Sequence, residues 1–401
     1  MCESTALELV VPILPSPIAD AYVSEAEAQH AQPLHGLDLH LCLDCGHVQL
    51  LVVVDPRLLF GHYTYVTSVS LGLVEHFRRY ADDVVAKARP AAGALVVEVG
   101  SNDGSLLRFF QGKGLRVAGV DPAEAIASNA TAAGIPTRAA FFDSTVAREL
   151  RAEHGSAALV CANNVFAHAD GLADMCQGIR DLLCDDGVFV FEVAYLVDLI
   201  EKNLFDTVYH EHLCYHSVKP LAAFFRRHRM ELVHVERIAS KGGSIRGQAQ
   251  LIGGPRPVDE SVSRLIALEE GQGFDRPPLF HKFARRIESE KRALLALLDE
   301  LQQQGKVVAG YGASATVTTL VHNFELGHRL AFLVDDNTVK HGLFMPACHL
   351  PVHHPRVLGE QKPDYVVILA WQYAEPIIQR NAAYLAAGGR FIVPLPHLRV
   401  I

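Results

Sequence analysis

Long hydrophobic runs are missing from this sequence. Nowhere does it approach the ~18 to 20 apolar residues that a membrane span requires, and its first residues lack the charged segment and apolar stretch of an export signal. We therefore expect a cytoplasmic protein with no membrane partner. Positive charge is also short, with 36 basic against 45 acidic residues and a net charge of -9. A groove for nucleic acid needs concentrated Lys and Arg, so its absence excludes that partner and favours a small molecule. Cysteine is sparse and scattered: of eight, only Cys42 and Cys45 form a C-x-x-C pair. In a reducing compartment such a pair holds a metal or does redox work more often than it makes a disulfide.

What is present is length and apolar content. With 401 residues, half of them hydrophobic, the chain exceeds the roughly 250 to 300 residues at which single cores stop growing. Three segments follow. Residues 1–75 lack a helical period and carry Pro12, Pro15, Pro17 and Pro33 before "LHLCLDCGHVQL", which reads as a small β-rich module. Tetrahedral zinc takes four thiolate or imidazole ligands; Cys42, Cys45 and Cys2 supply three, and the fourth is sought among His35, His40 and His47.

Residues 76–254 alternate apolar runs with helical stretches. "ALVVEVG", "RVAGVD", "AALVCANNV" and "GVFVFEV" predict strands of a parallel sheet covered on both faces, a doubly wound α/β domain. From 255 the chain turns polar, then "FHKFARRIESEKRALLALLDELQQQ" predicts a long amphipathic helix over 280–304 that links domains. "KVVAGYGASATVTTLV", "LAFLVDD", "DYVVILAW" and "RFIVPL" predict a second, C-terminal Rossmann-like α/β layer within 255–401. The two units look like one architecture used twice.

Their glycine turns differ. "VVEVGSNDGSLLRFF" leaves a strand through Glu98 and turns through Gly100, Ser101, Asn102, Asp103 and Gly104 into a helix. A dinucleotide turn is G-x-G-x-x-G and holds pyrophosphate on the helix start. This turn is acidic and repels phosphate, which suits a cationic, phosphate-free ligand such as S-adenosylmethionine. Asp121 ends the next strand, where a carboxylate takes ribose hydroxyls, and Asn163 and Asn164 end a third at the carboxyl edge. The alternative is that Glu98 and Asp121 cap strands of some other doubly wound domain. "GYGASA" at 310–315, followed by Asp335 and Asp336, is nearer the nucleotide pattern but has Ala315 for the third glycine. It could hold NAD, cradle another diphosphate, or only pack a helix against a strand.

The densest stretch is "FDTVYHEHLCYHS", residues 205–217, with three histidines, a glutamate and two tyrosines. That composition fits a site that moves protons. Together with "CLDCGHVQL", "YTYVTSVSLGLVEHF", "EVGSNDGSLL", "GVDPAEAIA", "ANNVFAHADGL", "KGGSIRG", "GYGASATVTTL" and "KPDYVVIL", it resembles, in order and over nearly the whole chain, the three-domain sugar C-methyltransferases of antibiotic deoxysugar pathways. The chain departs from that pattern in having Cys2 where the family has a first C-x-x-C pair, and Thr316 and Val317 where it has lysine and glycine.

The resemblance implies a zinc module, a central S-adenosylmethionine domain and a C-terminal domain enclosing a nucleotide-linked 4-keto sugar that is methylated at C3. A monomer or homodimer is expected. Glu98, Gly100, Asn102, Gly104, Asp121 and Asn163 then bind the methyl donor. Making a carbanion beside a ketone needs a base and a donor to the enolate oxygen. His212 is the expected base, with Glu211 to orient or replace it. Tyr209, Tyr63 or Tyr65, His168 and His210 are the expected donors, and Tyr65, Tyr215, Tyr311 and Ser314 the further substrate contacts. The competing readings are an O-methyltransferase, a nicotinamide oxidoreductase using "GYGASA", and a non-catalytic S-adenosylmethionine sensor.

Overall fold

The computed structural model describes residues 1–60, 66–69 and 71–401. Three sheets organise it. In the largest, apolar runs such as Leu95–Val99, buried at every position, lie where both faces are covered. Its seven strands run in the order Met230–Ile238, Ser244–Leu251, Leu183–Ala194, Ala157–Asn163, Leu95–Val99, Arg116–Asp121 and Thr137–Ala139. The last five are parallel, and the first two are antiparallel additions. Leu95–Val99 comes first in the chain and has a parallel neighbour on each side. The strand order therefore reverses there, and the crevice that open α/β sheets use for ligands lies at its carboxyl end.

Helix Leu71–Ala88 covers one face by burying Phe77, Tyr80, Ala81 and Val84 at helical spacing against Val96, Leu106 and Phe110. It also crosses the division expected after residue 75. The amphipathic helix expected over 280–304 runs Pro277–Gln303, entered through Pro277 and burying Phe280, Phe283, Ile287, Leu294, Leu298 and Leu301. Proline suits a first helical turn because its missing N–H has no partner there. At about 1.5 Å per residue the helix is about 40 Å long, and it packs against the N-terminal strand Leu7–Val11. The polar stretch after 255 holds a helix of its own, Glu260–Gln272, capped by Asp259 at its start and closed by Gly273 at φ 84°.

The C-terminal layer has six strands in the order Val352–His353, Leu333–Val334, Val308–Tyr311, Tyr365–Ile368, Arg390–Val393 and Arg399–Val400. All but the last pair are parallel. Its own switch point lies between Val308–Tyr311 and Tyr365–Ile368, so Gly312 and Trp371 share one carboxyl edge.

The N-terminal sheet joins Leu7–Val11, Leu39–Cys42 and Val48–Gln49 to Cys214–Tyr215, which pairs with Val48–Gln49. Its fourth strand thus comes from the proton-rich segment rather than from the first 75 residues. This module also touches the C-terminal layer, through a bridge between Val23 and Phe344 and a bond from Leu14 N to Asn323 Oδ1 at 3.1 Å. The segment 205–217 is consequently held where all three sheets meet.

Candidate active site

Two clusters of buried polar groups stand at the carboxyl edge of the central sheet. The first surrounds the acidic glycine turn. Gly100 has φ 69°, a left-handed conformation natural to glycine, and an added Cβ would come within 2.3 Å of Val165 Cγ2. Gly104, at φ 74°, packs on Ile135 in the same way, so its role is helix packing. The turn is closed by Asp121, whose carboxylate accepts from Asn102 N at 2.8 Å and Ala123 N at 2.9 Å. Asn102 Oδ1 accepts from Thr67 N at 2.9 Å. Asp103 accepts from Ser68 N at 3.0 Å and from the Ser105 hydroxyl at 2.6 Å. Asp103 is therefore a capping and loop-holding group.

Two glutamates are buried at strand ends here, with opposite fates. Glu192 is paired with Arg246, whose Nη2 lies at 2.7 Å, and hydrogen-bonds His76 Nε2 at 2.8 Å. Glu98, 2 % exposed, has no such cation, and its Oε2 has no hydrogen-bond partner. Burial, followed by the charge of Asp121, pushes its carboxyl well above the ordinary carboxylate range, against a smaller lowering from Asn163. The Asn163 amide and the Ser101 hydroxyl beside it are also buried and without close partners. A buried acid lacking a counter-ion, next to unpaired amide and hydroxyl groups, is chemistry that a cationic amino acid with hydroxyls would complete. These residues fit S-adenosylmethionine.

The second cluster centres on His212. Its Nδ1 lies 2.7 Å from the carbonyl of Thr207. A carbonyl can only accept, so Nδ1 carries the proton and, in the neutral ring, Nε2 carries the lone pair. Rings of Tyr209 and His168 stand 4.1 and 5.1 Å from its own, centre to centre, and Phe60 stacks on His168. Burial lowers His212 to about 4, and Lys241 lowers it further against the Thr207 bond. His168 is lowered too, by burial first and His212 second. Burial raises Glu211 to about 7, with Asp20 adding to the rise and Lys241 opposing it. Near neutral pH the site holds neutral imidazoles and a carboxyl at mid-titration.

Lys241, which received no role from the sequence, sits at φ 50° in the turn Ser240–Gly242. Its signal was a lone cation before two glycines in "KGGSIRG". Asp206 was likewise passed over, although it is the second residue of the quoted stretch; it is 1 % exposed and accepts from Trp371 Nε1 at 2.8 Å.

Other expected residues lie elsewhere. His210 turns to the N-terminal module, its Nε2 on His35 O at 3.3 Å, so it is no donor to this cluster. His216 is fully buried against Phe166. Tyr215 is a core residue, 3 % exposed, because the strand it belongs to completes the N-terminal sheet. Tyr311 is buried and directs its hydroxyl to Asp336 at 3.1 Å. Ser314 is exposed at the start of helix Ala315–Asn323. Tyr63 and Tyr65 lie outside the described residues.

The C-terminal turn repeats the device of the central one. Asp335 accepts from Ala313 N and, at 2.7 Å, from Asn337 N. Two residues before the turn glycine, however, Gly310 stands where the central domain has Glu98, with Leu333 and Leu369 filling the space of a side chain. At the position equivalent to Glu98 this turn offers no carboxylate.

The thiols of Cys2, Cys42 and Cys45 lie within 4.8 Å of one another. Burial raises Cys45 to about 12, whereas backbone N–H groups hold Cys42 below the ordinary thiol range despite its burial. Crowded sulfurs of this kind fit three corners of a zinc tetrahedron. Among the described residues no histidine joins them: His47 packs against His216 and His40 bonds Asp38 O.

Comparisons with known proteins agree with this layout. Residues 1–60 match the family described as "Putative zinc binding domain", residues 73–235 that described as "Methyltransferase domain", and residues 239–396 that described as "C-methyltransferase C-terminal domain". The C-methyltransferase NovU of Streptomyces niveus is 36% identical over 387 residues, 96% of this chain and 92% of NovU. The chain belongs to the C-methyltransferase family. As a member, this C-methyltransferase is an S-adenosylmethionine-dependent enzyme, and the oxidoreductase and sensor readings fall away. Solved structures with a similar fold include magnesium protoporphyrin IX methyltransferase (ChlM) from Synechocystis PCC 6803 with bound SAH, at 15% identity and TM-score 0.35 over 48% of this chain and 91% of ChlM. PH0226 protein from Pyrococcus horikoshii OT3 gives 13% identity and TM-score 0.39 over 50% of this chain and all of its own.

Proposed function

We propose that this C-methyltransferase deprotonates the carbon beside a ketone in a nucleotide-activated keto sugar, at C3 of a 4-keto-deoxysugar, and methylates that carbon. The observation that carries the reading is the fixed tautomer of His212, with Nδ1–H on Thr207 O and the lone pair on Nε2. Bound S-adenosylmethionine supplies the electrophilic methyl group. Glu98, Gly100, Asn102, Asp121 and Asn163 hold that donor, with Gly104 supporting the turn.

His212 takes the C–H proton at Nε2, a transfer made possible by stabilisation of the charge that develops at the neighbouring oxygen. Lys241, Tyr209 and His168 stabilise the enolate oxygen as charge develops there. Glu211, poised near neutrality, carries the proton onward to water. Tyr63, Tyr65 and Ser314 are proposed substrate contacts. A cavity of about 400 Å³ lined by Asn203, Gly242, Arg286 and Trp371 has the size class of small-molecule sites, and we assign it the far end of the substrate.

We divide the work among an N-terminal metal module (1–75), a donor domain (76–254) and a substrate domain (255–401), in the setting of antibiotic deoxysugar biosynthesis. Eight free cysteines accord with a reducing, cytoplasmic location, and no described helix is long and apolar enough to cross a membrane.

The test is a nucleotide-linked 4-keto-6-deoxysugar deuterated at C3. With S-adenosylhomocysteine in place of the donor, the enzyme should exchange that deuterium for solvent hydrogen. With the donor it should give a product whose NMR spectrum shows C–CH3. Exchange-free turnover to O–CH3, or no reaction with any keto sugar, overturns the proposal.

A further inference from the structure

The turn Phe205–Thr207 and Val208 present four consecutive residues, each making a different contact. The Phe205 ring stacks on Phe324, 5.1 Å between centres and 15° between planes. Asp206 Oδ2 accepts from Trp371 Nε1 at 2.8 Å. Thr207 O accepts from His212 Nδ1 at 2.7 Å. Val208 O accepts from Thr319 Oγ1 at 2.8 Å. Phe324, Trp371 and Thr319 all belong to the C-terminal layer, so the one carbonyl that faces His212 lies between residues held by that layer.

We propose that Asp206 and Trp371 form a positioning pair through which the C-terminal layer fixes the Thr207 carbonyl and thereby the tautomer and orientation of the His212 imidazole. The inference rests on the reading of His212 as the base. Asp206 touches no reacting atom and acts only through His212. Its place is costly for a carboxyl: 1 % exposed, with Oδ1 unpartnered, and no cation within salt-bridge distance among the described residues. Burial raises it to about 7, against the lowering effect of the Trp371 bond. A carboxyl accepts from an indole N–H in either protonation state, so the pair persists on both sides of neutrality. Without it the 205–208 turn loses its central anchor, the Thr207 carbonyl is no longer aimed at Nδ1, and the imidazole proton redistributes between the two nitrogens. The C-terminal layer is then part of the proton-transfer apparatus as well as a wall of the substrate cleft.

The experiment uses the full chain carrying 15N-labelled histidine, with the His212 signals assigned by their loss in His212→Asn. Wild type should show a neutral ring protonated at Nδ1. Trp371→Phe and Asp206→Leu should show a mixture of tautomers. Their kcat should fall by ~10- to 100-fold, a fraction of the usual worth of general-base catalysis, while S-adenosylhomocysteine affinity stays within about two-fold in both and KM does so in Asp206→Leu, whose residue does not line the substrate cavity. Asp206→Asn, which keeps an acceptor for the indole, should restore both the tautomer and kcat.

A wild-type His212 spectrum in Trp371→Phe and Asp206→Leu, even with a lower thermal midpoint, overturns the proposal by making the pair merely structural. Equal damage from Asp206→Asn also overturns it. Failure of the keto-sugar reading shows itself separately, as absence of C–H exchange in wild type, while the spectra still report whether Trp371 governs His212.

Discussion

Gly100→Ala tests the turn that we assign to the methyl donor. Gly100 has φ 69°, and the added Cβ would fall 2.3 Å from Val165 Cγ2, with the other Val165 carbons at 3.5 and 3.6 Å. A left-handed conformation costs an alanine ~1 to 2 kcal/mol. The lost backbone freedom of the unfolded chain returns ~0.4 to 1 kcal/mol, and the clash with one methyl group adds ~1 to 3 kcal/mol. The net loss is about 2 to 4 kcal/mol. Gly114 is the control: its φ is 78°, and a Cβ there would meet nothing within 4 Å, so Gly114→Ala should cost only ~1 kcal/mol. Urea unfolding followed by circular dichroism and calorimetric titration with S-adenosylhomocysteine would measure both variants. Gly100→Ala should be the less stable and bind at least ~10-fold more weakly, since displacing the turn needs to cost only ~1.4 kcal/mol to do so. Adding Val165→Ala should recover the steric part, a coupling of ~1 to 3 kcal/mol. Equal behaviour of the two glycine variants in stability and affinity would refute the reasoning.

His212→Asn should abolish methyl transfer while leaving S-adenosylhomocysteine affinity nearly intact; a parallel loss of affinity would remove its role as base. Glu98 is held above the ordinary carboxylate range in the free protein, and a bound cation should lower it, so donor binding should release protons at mildly acidic pH. Calorimetry in two buffers of different ionisation enthalpy should detect that release, and Glu98→Gln should eliminate it. Cys45→Ser should reduce the zinc content of the purified protein from about one ion per chain, as read by atomic absorption; unchanged metal would place the ion elsewhere. Asp206 stands at about 7 instead of 3.8. Its folded form favours the proton, so its contribution is complete below about pH 4 and is lost as pH rises through about 7, on the order of 4 kcal/mol at most. Asp206→Asn should therefore gain stability over wild type as pH rises through that window, and parallel stability curves would contradict the burial cause.

The backbone plan was legible because apolar period and glycine punctuation are local. The buried run Leu95–Val99, the turn at Gly100 and the helix Pro277–Gln303 each announce themselves within a few residues, and Glu98 and Asp121 follow from their places at successive strand ends. The histidines of 205–217 show what local reading misses. Spacing makes His210, His212 and His216 equivalent, yet one faces His35, one faces Thr207 O and one is packed on Phe166. What separates them is the pairing of Cys214–Tyr215 with Val48–Gln49 and the anchoring of the preceding turn on Trp371 and Thr319.

The sequence by itself determined the fold class, the acidic glycine turn, the C-x-x-C pair and the histidine-rich segment, because each depends on residue type and short-range order. Tertiary structure alone decided which nitrogen of His212 carries the proton, and that among the described residues Glu98 lacks a salt-bridge partner while Glu192 has Arg246 and no histidine joins the three thiols. Those outcomes depend on burial and on which neighbours the fold brings together, and electrostatics in a low-dielectric interior is set by such neighbours.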